Sequence, residues 1–308
     1  MFFLEYRMET KLTRLVKEKG PLTGAEILKA IDNDLFLLWR CCKLSKNLAI
    51  RIIGRRYLRL DRRIEGFARL SPSILREFLT YSVIGLAEDP EALIQRANEI
   101  NSNIEQISRA KSELAYTIIS AVVDRFGNND LIGRQASIII AGDIVHNMAH
   151  DVPRPERSTG KMIKGSDMDI VVVVDDLFPK RLTERLDEII YQEKQNILIT
   201  PHLREEIDYI VKDMNRVREQ MKFETFKHMV ACKILQEGTL LYGSEDLFST
   251  IKDMLRQEEV TEKLLALEER ARIFRMNAER DLLNKDPQKI RGAYQHLFYP
   301  TEESEEFE

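Results

Sequence analysis

Cysteine is scarce in this chain, which has only Cys41, Cys42 and Cys232 among its 308 residues. Cys41 and Cys42 are adjacent and poorly placed to bridge each other, and Cys232 is alone. Neither a disulfide framework nor a cysteine-based zinc site is therefore indicated. The cysteine content predicts a protein of a reducing cytoplasm.

Long hydrophobic runs are also missing, since no apolar stretch approaches the ~20 residues that a membrane-spanning helix needs. The apolar start, Met1-Phe2-Phe3-Leu4, is followed at once by Glu5 and Arg7, so we expect no signal-peptide core. We therefore expect no direct insertion into a membrane. With 44% hydrophobic and 32% charged residues, the composition is that of a globular protein, and the length allows two domains.

Charge is distributed unevenly along the chain. The formal net charge is −4, but the segment from Arg40 to Thr80 contains eleven Lys or Arg residues against three acids, a local net of +8. The last eight residues hold five glutamates. The basic segment is therefore suited to polyanions, and the C-terminal end is predicted to be a solvated acidic tail.

The densest basic stretch predicts contacts with a nucleic-acid backbone, single-stranded nucleic acid included. Its candidate residues are Arg55, Arg56, Arg59, Arg62 and Arg63. Arginine clusters provide affinity without showing what is bound. Two alternatives therefore stay open: a solvated face, or a surface that binds the acidic tail of a second copy in a homo-oligomer.

Residues 1–88 have the pattern of a basic winged-helix-like domain. Thr23 and Glu26 form a capping-box pattern at the start of a helix, and Tyr57–Asp61 alternates like a strand. Short helices followed by a strand are the order of a winged helix-turn-helix. The other helices are predicted over Met8–Gly20, Leu35–Ile53 and Leu75–Leu86.

The rest of the chain is predicted to contain a long helical connection (89–127), a catalytic domain (128–248), a C-terminal helical region (249–285) and a tyrosine-containing acidic tail (286–308). Buried strands are predicted over Ala136–Ala141, Ile170–Val174 and Glu206–Val211, and helices over Leu182–Gln195 and Phe223–Gln236. Ile144–Ala149 is a candidate for one or two helical turns. An apolar stripe in the C-terminal helices consists of Val260, Leu264, Leu265, Leu267, Ile273 and Phe274.

Two carboxylates stand at the start of the second of these strands. Asp167 and Asp169 are two residues apart, so on a strand they project to the same side, with Met168 turned to the other. A carboxylate near a buried sheet face is costly unless something pairs with it. The pair therefore suits Mg²⁺, which is commonly held by carboxylates together with substrate phosphates.

These residues resemble the DNA polymerase β nucleotidyltransferase superfamily. The similarity covers roughly Ala110–Ile251 and rests on Gly142, Gly165-Ser166-Asp167-Met168-Asp169-Ile170 and Ile207-Asp208-Tyr209. The resemblance implies an α+β palm, a mixed sheet with helices. It further implies that Asp167, Asp169 and Asp208 bind two Mg²⁺ ions, with Mn²⁺ as an alternative, for in-line displacement at the α-phosphate of a nucleoside triphosphate. Asp208 is then the expected general base.

The turn after the first strand departs from the superfamily, which usually has Gly-Ser or Gly-Gly where this chain has Gly142-Asp143. The backbone of Gly142 and the hydroxyl of Ser166 are candidate phosphate contacts. The linker before Gly165 is longer than usual and basic, so Lys161 and Lys164 are predicted to help hold the triphosphate. Lys227 and Lys233 are further candidate clamps, with plain solvated helix charges as the alternative.

Three other residues have a structural and a functional interpretation. His146 and His150 are spaced i, i+4 and can ligate a metal on a helix face, but no third zinc ligand is evident. Ordinary surface or phosphate-side histidines are the favoured interpretation. Trp39 is predicted to belong to the core rather than to stack on a base.

The layout as a whole resembles the nucleotidyltransferases of bacterial anti-phage defence, the Hailong type among them. That resemblance implies template-independent polymerisation of a deoxynucleotide, dATP, into short oligomers that control a membrane effector protein. A primer-independent polymerase needs a starting hydroxyl, and Tyr299 or else Tyr294 is the candidate, with a docking aromatic as the alternative. Two other classes remain: a toxin-type nucleotidyltransferase acting on tRNA or a partner protein, and a DNA-binding regulator with a degenerate core.

Overall fold

The computed structural model describes residues 2–31, 34–156, 159–285 and 298. Its secondary structure is mixed, with 58% helix and 18% strand, which confirms the predicted α+β class. The chain divides into two compact units. One contains the residues up to Asn103 together with the part of the last long helix from Leu267, and the other contains Ile104–Ala266.

The first unit has short strands and short helices. Its elements are α1 (Phe2–Lys19), β1 (Leu22–Thr23), α2 (Gly24–Ala30), α3 (Leu35–Leu44), β2 (Leu48–Ile52), β3 (Tyr57–Leu60), β4 (Ala68–Ser71), α4 (Ile74–Thr80), β5 (Ser82–Leu86) and the beginning of α5 (Pro90–Phe126). A three-stranded antiparallel sheet has the order β1-β5-β2, and β3 and β4 form an antiparallel pair. The predicted capping box is confirmed, because Thr23 Oγ1 accepts from Glu26 N–H at 3.2 Å and Glu26 Oε2 accepts from Thr23 N–H at 2.7 Å.

The predicted helix Leu35–Ile53 is wrong in its second half. The helix ends at Leu44, and the following residues form strand β2. The chain turns because Ser45 Oγ accepts hydrogen bonds from the backbone N–H groups of Asn47 at 3.1 Å and Leu48 at 3.2 Å. Such local side-chain bonds compete with the helical ladder.

The predicted helix Leu75–Leu86 is also wrong beyond Thr80. Ser82–Leu86 forms β5, the central strand of the three-stranded sheet. Val83 and Ile84 are fully buried there. Two adjacent β-branched residues fit a strand that is covered on both faces better than a helix, in which their χ1 freedom is restricted.

Trp39 belongs to the core of the first unit, as predicted. It is 2% exposed, and its ring centroid lies 5.4 Å from that of Phe298 and 5.8 Å from that of Phe36. Phe298 is buried in the same cluster. Tyr294, Tyr299 and the acidic tail lie outside the described residues.

The second unit contains the predicted catalytic stretch. Its elements are the remainder of α5, α6 (Asn129–Gln135), β6 (Ala136–Ala141), β7 (Pro153–Pro155), β8 (Met162–Lys164), β9 (Met168–Val174), α7 (Lys180–Ile199), β10 (Ile207–Asp213), α8 (Met214–Met221), α9 (Phe226–Glu237), β11 (Thr239–Gly243), α10 (Glu245–Gln257) and the start of α11 (Val260–Asn284). The strands predicted at β6, β9 and β10 are confirmed, as are the long helix α5 and the helices α7 and α9.

A mixed four-stranded sheet organises this unit in the order β10-β9-β6-β11. β10 is parallel to β9, whereas β6 is antiparallel to both β9 and β11. One face of β9, from Met168 to Val174 in alternation, packs in a core with α5 and α7. The carboxylates of Asp167 and Asp169 therefore belong to the opposite side of the strand, as the period of two predicts.

Three features of this unit were missed or wrongly predicted. The polar linker before Gly165 contains a two-stranded hairpin, β7 with β8. Helix α8 follows β10 directly and begins at an N-cap, Asp213, which accepts from Arg216 N–H at 2.8 Å. Ile144–Ala149 is not helical: it is a turn closed by a bond from Met148 N–H to Asp143 O at 2.9 Å.

The predicted C-terminal helical region is found as α10 and α11, but the apolar stripe is only partly correct. Val260, Leu264 and Leu267 are buried, whereas Leu265 is 61% and Ile273 is 48% exposed. The two exposed residues fall outside the i, i+4, i+7 positions that the buried residues occupy.

A buried ion pair joins α5 to the loop before β10. The ammonium of Lys111 contacts the carboxylate of Glu205, with side chains 5% and 9% exposed, and it donates to the backbone carbonyl of Lys164 at 2.8 Å. Removing one member leaves the other charge buried without its partner. We expect Lys111→Met to lower the free energy of unfolding by about 3–5 kcal/mol, measured by urea denaturation.

The double variant Lys111→Met with Glu205→Leu is the matched control. It replaces both charges with apolar groups of similar size, so we expect it to regain most of the lost stability. A double variant as unstable as Lys111→Met alone would contradict this interpretation of the pair.

Candidate metal centre

Three carboxylates meet at one edge of the four-stranded sheet. Asp208 of β10 is in register with Asp169 of β9, which is in register with Ala141 at the end of β6. Asp167 lies one residue before β9. Carboxylate oxygens of Asp167, Asp169 and Asp208 all lie within 4.8 Å of one another.

The spacing of these oxygens fits hard divalent cations. Two ligands of one Mg²⁺ ion, each at about 2.1 Å, are at most about 4.2 Å apart. Two ions bridged by carboxylates and separated by about 3.5–4 Å allow slightly larger spans. The triad could therefore hold a metal ion after small side-chain movements, and its oxygen-only donor set suits Mg²⁺ or Mn²⁺ better than zinc.

The three carboxylates lie in a strongly acidic environment. Burial, together with the neighbouring Asp208 and Asp143, raises the pKa of Asp167 against the opposing effect of Arg154. Burial also raises the pKa of Glu206 to about 7, with further contributions from Asp167 and Asp208. Burial and mutual repulsion therefore both disfavour the charged forms of Asp167 and Glu206.

Two basic side chains that the sequence-based assignment missed contact the triad. Arg154 Nη2 lies 3.4 Å from Asp167 Oδ2 and 2.8 Å from Glu206 Oε2. Lys194 Nζ lies 3.0 Å from Asp208 Oδ1. Arg154 belongs to the linker whose basic character the sequence shows, whereas Lys194 is one of several charges on α7 and carries no local signal.

The turn after β6 brings the backbone against the triad. Gly142 has φ +73°, and a Cβ atom added there would lie 2.0 Å from Asp169 Oδ2. Its N–H donates to Glu237 Oε1 at 3.3 Å. The backbone of Gly142 therefore lies against Asp169, a candidate metal ligand, rather than against a phosphate. The N–H group of Gly142, predicted to contact a phosphate, donates to the carboxylate of Glu237 instead.

Glu237 also contacts two other predicted residues. Its Oε1 lies 2.8 Å from Lys233 Nζ, and its Oε2 lies 2.8 Å from His146 Nε2. Lys233 is buried at this ion pair, whereas Lys227 is exposed on the same helix. Despite the cost of burial, Lys233 and His146 hold the pKa of Glu237 below its usual range.

Ser166 and Asp143 explain how the unusual turn is accommodated. Ser166 is buried, donates its hydroxyl proton to Asp143 Oδ2 at 2.8 Å, and accepts from His150 N–H at 3.2 Å. His150 Nδ1 in turn accepts from Val152 N–H at 3.3 Å. Ser166 therefore has a structural role in this state, and its predicted phosphate contact is a further hypothesis.

The other candidates are placed individually. Lys164 Nζ donates to the backbone carbonyl of His202 at 2.9 Å, and Lys161 is exposed in the same hairpin. Within the part of the chain that the structure describes, His146 and His150 belong to no group of three potential metal ligands. His150 is buried and the side chain of His146 is 11% exposed, so neither is a surface histidine, and a phosphate-side role stays a prediction.

The basic stretch of the first unit is partly neutralised by acids of that unit. Arg56 lies 2.6 Å from Glu77 and 3.0 Å from Glu279. Arg55, Arg62 and Arg63 are exposed and Arg59 is partly exposed. Arg56 is thus committed to an internal network, and nucleic-acid contact by the others stays a prediction.

Comparisons with protein-family models and with curated protein sequences find no match to this chain. Within the described residues, none of the helices is long and apolar enough to cross a membrane.

The raised pKa of Glu206 predicts how stability depends on pH without metal. A carboxyl with a folded-state pKa of about 7 binds its proton more tightly in the folded than in the unfolded state. Its contribution to stability is therefore greatest at acid pH and declines as the pH rises towards 7. We expect Glu206→Gln to flatten this decline, on the order of 1–3 kcal/mol between pH 5 and pH 7.5.

Chemical denaturation in EDTA at both pH values measures this effect. Glu188→Gln on the exposed side of α7 is the control and should follow the parent protein. A Glu206→Gln variant with the same pH dependence as the parent would contradict the assignment.

Proposed function

We propose that the chain is a metal-dependent nucleotidyltransferase of the DNA polymerase β type, with Ile104–Ala266 as its palm and the first unit as a winged-helix-like domain. The observation that carries the proposal is the row of Asp167, Asp169 and Asp208 at one sheet edge. Asp208 comes from a strand 39 residues beyond Asp169, so their meeting depends on the fold. Asp208 and Asp143 raise the pKa of Asp167 by repulsion, and divalent ions between the carboxylates would relieve that repulsion, which supports the proposal.

Each carboxylate has a role in this reaction. Bound Mg²⁺ would lower the pKa of the attacking hydroxyl and neutralise the leaving pyrophosphate. Asp167 and Asp169 would hold the ions from one strand, and Asp208 would accept the proton of the attacking hydroxyl. The hydroxyl oxygen then bonds to the α-phosphorus as the bond to the bridging oxygen breaks, which releases pyrophosphate.

The product proposed from the overall layout is a short oligonucleotide, made from dATP without a template and acting on a membrane effector in anti-phage defence. Incubation of the chain with each labelled NTP and dNTP and Mg²⁺ or Mn²⁺, followed by gel analysis, tests this. Free oligomers that require metal would support it. Label found only on added tRNA or on a partner protein would instead favour the toxin-type enzyme.

Mass spectrometry of the same reaction tests the priming hydroxyl. A nucleotide adduct on the peptide that contains Tyr299 or Tyr294 is the expected result, and Tyr299→Phe and Tyr294→Phe assign it to one residue. Oligomer synthesis without an adduct on either peptide would contradict tyrosine priming while leaving nucleotidyl transfer intact.

A further inference from the structure

We propose that Arg154 binds the phosphate groups of the nucleotide substrate, and that its guanidinium moves to them from Asp167 when divalent cations occupy the carboxylates. The inference rests on the proposed function, because it identifies a residue of that site which takes the substrate phosphates. The sequence alone predicts instead that Lys161 and Lys164, in the same linker, hold the triphosphate.

Arg154 is anchored at the entrance of the triad by the hairpin that precedes it. On β7 it pairs with Ile163 of β8, which is buried, so the backbone around Arg154 has a fixed register. Its Nε donates to the backbone carbonyl of Gly165 at 2.7 Å. Gly165 stands two residues before Asp167, so this bond keeps the guanidinium beside the metal ligands.

The guanidinium has one close and one longer acidic contact. Arg154 Nη2 is 2.8 Å from Glu206 Oε2 but 3.4 Å from Asp167 Oδ2. The second distance exceeds that of a normal charge-assisted hydrogen bond. The contact with Asp167 is therefore the one that exchanges most easily.

Metal binding changes which anion attracts Arg154. The carboxylate of Asp167 would be neutralised by the divalent cations that it holds, and substrate phosphates would share those cations, since Mg²⁺ is commonly held by both. The planar guanidinium matches phosphate oxygens in a two-pronged contact that a lysine ammonium does not reproduce. With Nε still bonded to Gly165, the side chain needs only to turn its outer edge towards the phosphates.

Two of the other basic candidates have partners outside the linker hairpin and the triad's Asp167. Lys164 bonds to a carbonyl of His202, and Lys233 is paired with Glu237. Lys194 does contact the triad, but at Asp208, the end of the carboxylate row farthest from the Gly142 turn. Lys194 therefore serves as the control for Arg154, because each of the two side chains contacts one carboxylate of the triad but only Arg154 belongs to the linker.

Two binding measurements with opposite expected signs test the proposal. Mn²⁺ alone should bind Arg154→Gln and Lys194→Gln each about two- to tenfold more tightly than the parent, because a competing cation has been removed. Inorganic tripolyphosphate and dATP, each with Mg²⁺, should bind Arg154→Gln on the order of 10- to 100-fold more weakly. Lys194→Gln should bind tripolyphosphate and dATP with the affinity of the parent protein. The affinity of Arg154→Lys for these two ligands should lie between those of the parent and Arg154→Gln.

The outcomes separate the possible failures. If Arg154→Gln binds tripolyphosphate as tightly as the parent protein does, the proposed role of Arg154 is wrong. The proposed function would still be supported in that case if the parent protein catalyses metal-dependent nucleotidyl transfer. Weaker binding of Mn²⁺ and tripolyphosphate together in both Arg154 variants would mean that Arg154 only supports the hairpin, which also overturns the proposal. A parent protein that binds neither tripolyphosphate nor any nucleotide with Mg²⁺ would overturn both inferences.

Discussion

Replacing Asp169 with asparagine is expected to reduce metal-dependent nucleotidyl transfer by about 10³-fold or more, since the metal ions supply several kcal/mol of transition-state stabilisation. Asp169 is the central residue of the carboxylate row and is 8% exposed, so water has little room to replace its oxygen as a ligand. An amide keeps the size of the side chain but removes the charge that a divalent ion requires. Initial rates with the preferred labelled nucleotide measure the effect.

Asp213→Asn is the matched control, since Asp213 lies at the far end of β10 and caps α8. Asparagine caps helices about as well as aspartate, so we expect near-parental stability and activity. Asp169→Asn with parental activity would show that transfer does not depend on these carboxylates. A biological function that survives this change would favour the DNA-binding regulator with a degenerate core.

The second large effect is expected at Gly142. A methyl group at this position would overlap Asp169 Oδ2 at 2.0 Å and also lie 3.1 Å from Asp169 Cγ. The carboxylate is the more mobile partner, so we expect Gly142→Ala to displace it from the triad. Because a displacement of about 1 Å in a catalytic group can cost 10²-fold in rate, we expect a loss of transfer of at least that order.

Gly127→Ala separates this effect from backbone strain. Gly127 has φ +75°, close to the φ of +73° at Gly142, but nothing lies within 4 Å of an added Cβ. Both variants should lose about 1–3 kcal/mol of stability through the left-handed conformation. Only Gly142→Ala should also lose Mn²⁺ binding and transfer, and equal activity in the two variants would contradict the close contact with Asp169.

The strand that carries Asp167 and Asp169 was predictable because its information is local. A short β-branched run predicts a buried strand, and alternation places both carboxylates opposite Met168. Helix ends were less predictable: the boundary near Leu44 depends on the side-chain bonds of Ser45, and β5 depends on its place at the centre of a sheet. Intrinsic preference is a weak guide where tertiary context decides.

The rest of the site depends on contacts between distant segments. The register that aligns Asp208 with Asp169 is set by the parallel pairing of β10 and β9, and only the family resemblance suggested it in advance. Basic composition pointed to the linker, but the hairpin decides that Arg154, rather than Lys161 or Lys164, contacts Asp167. No local pattern distinguishes Lys194 or Glu237 from the other charges of their helices.

The most direct test of the metal centre is anomalous diffraction from crystals grown with Mn²⁺ and a non-reactive nucleotide analogue. We expect Mn²⁺ density between the oxygens of Asp167, Asp169 and Asp208, about 2.1–2.2 Å from them. A metal centre at this site would be contradicted by three results together: the analogue bound elsewhere, no anomalous density at the triad, and Asp167 and Asp208 still paired with Arg154 and Lys194.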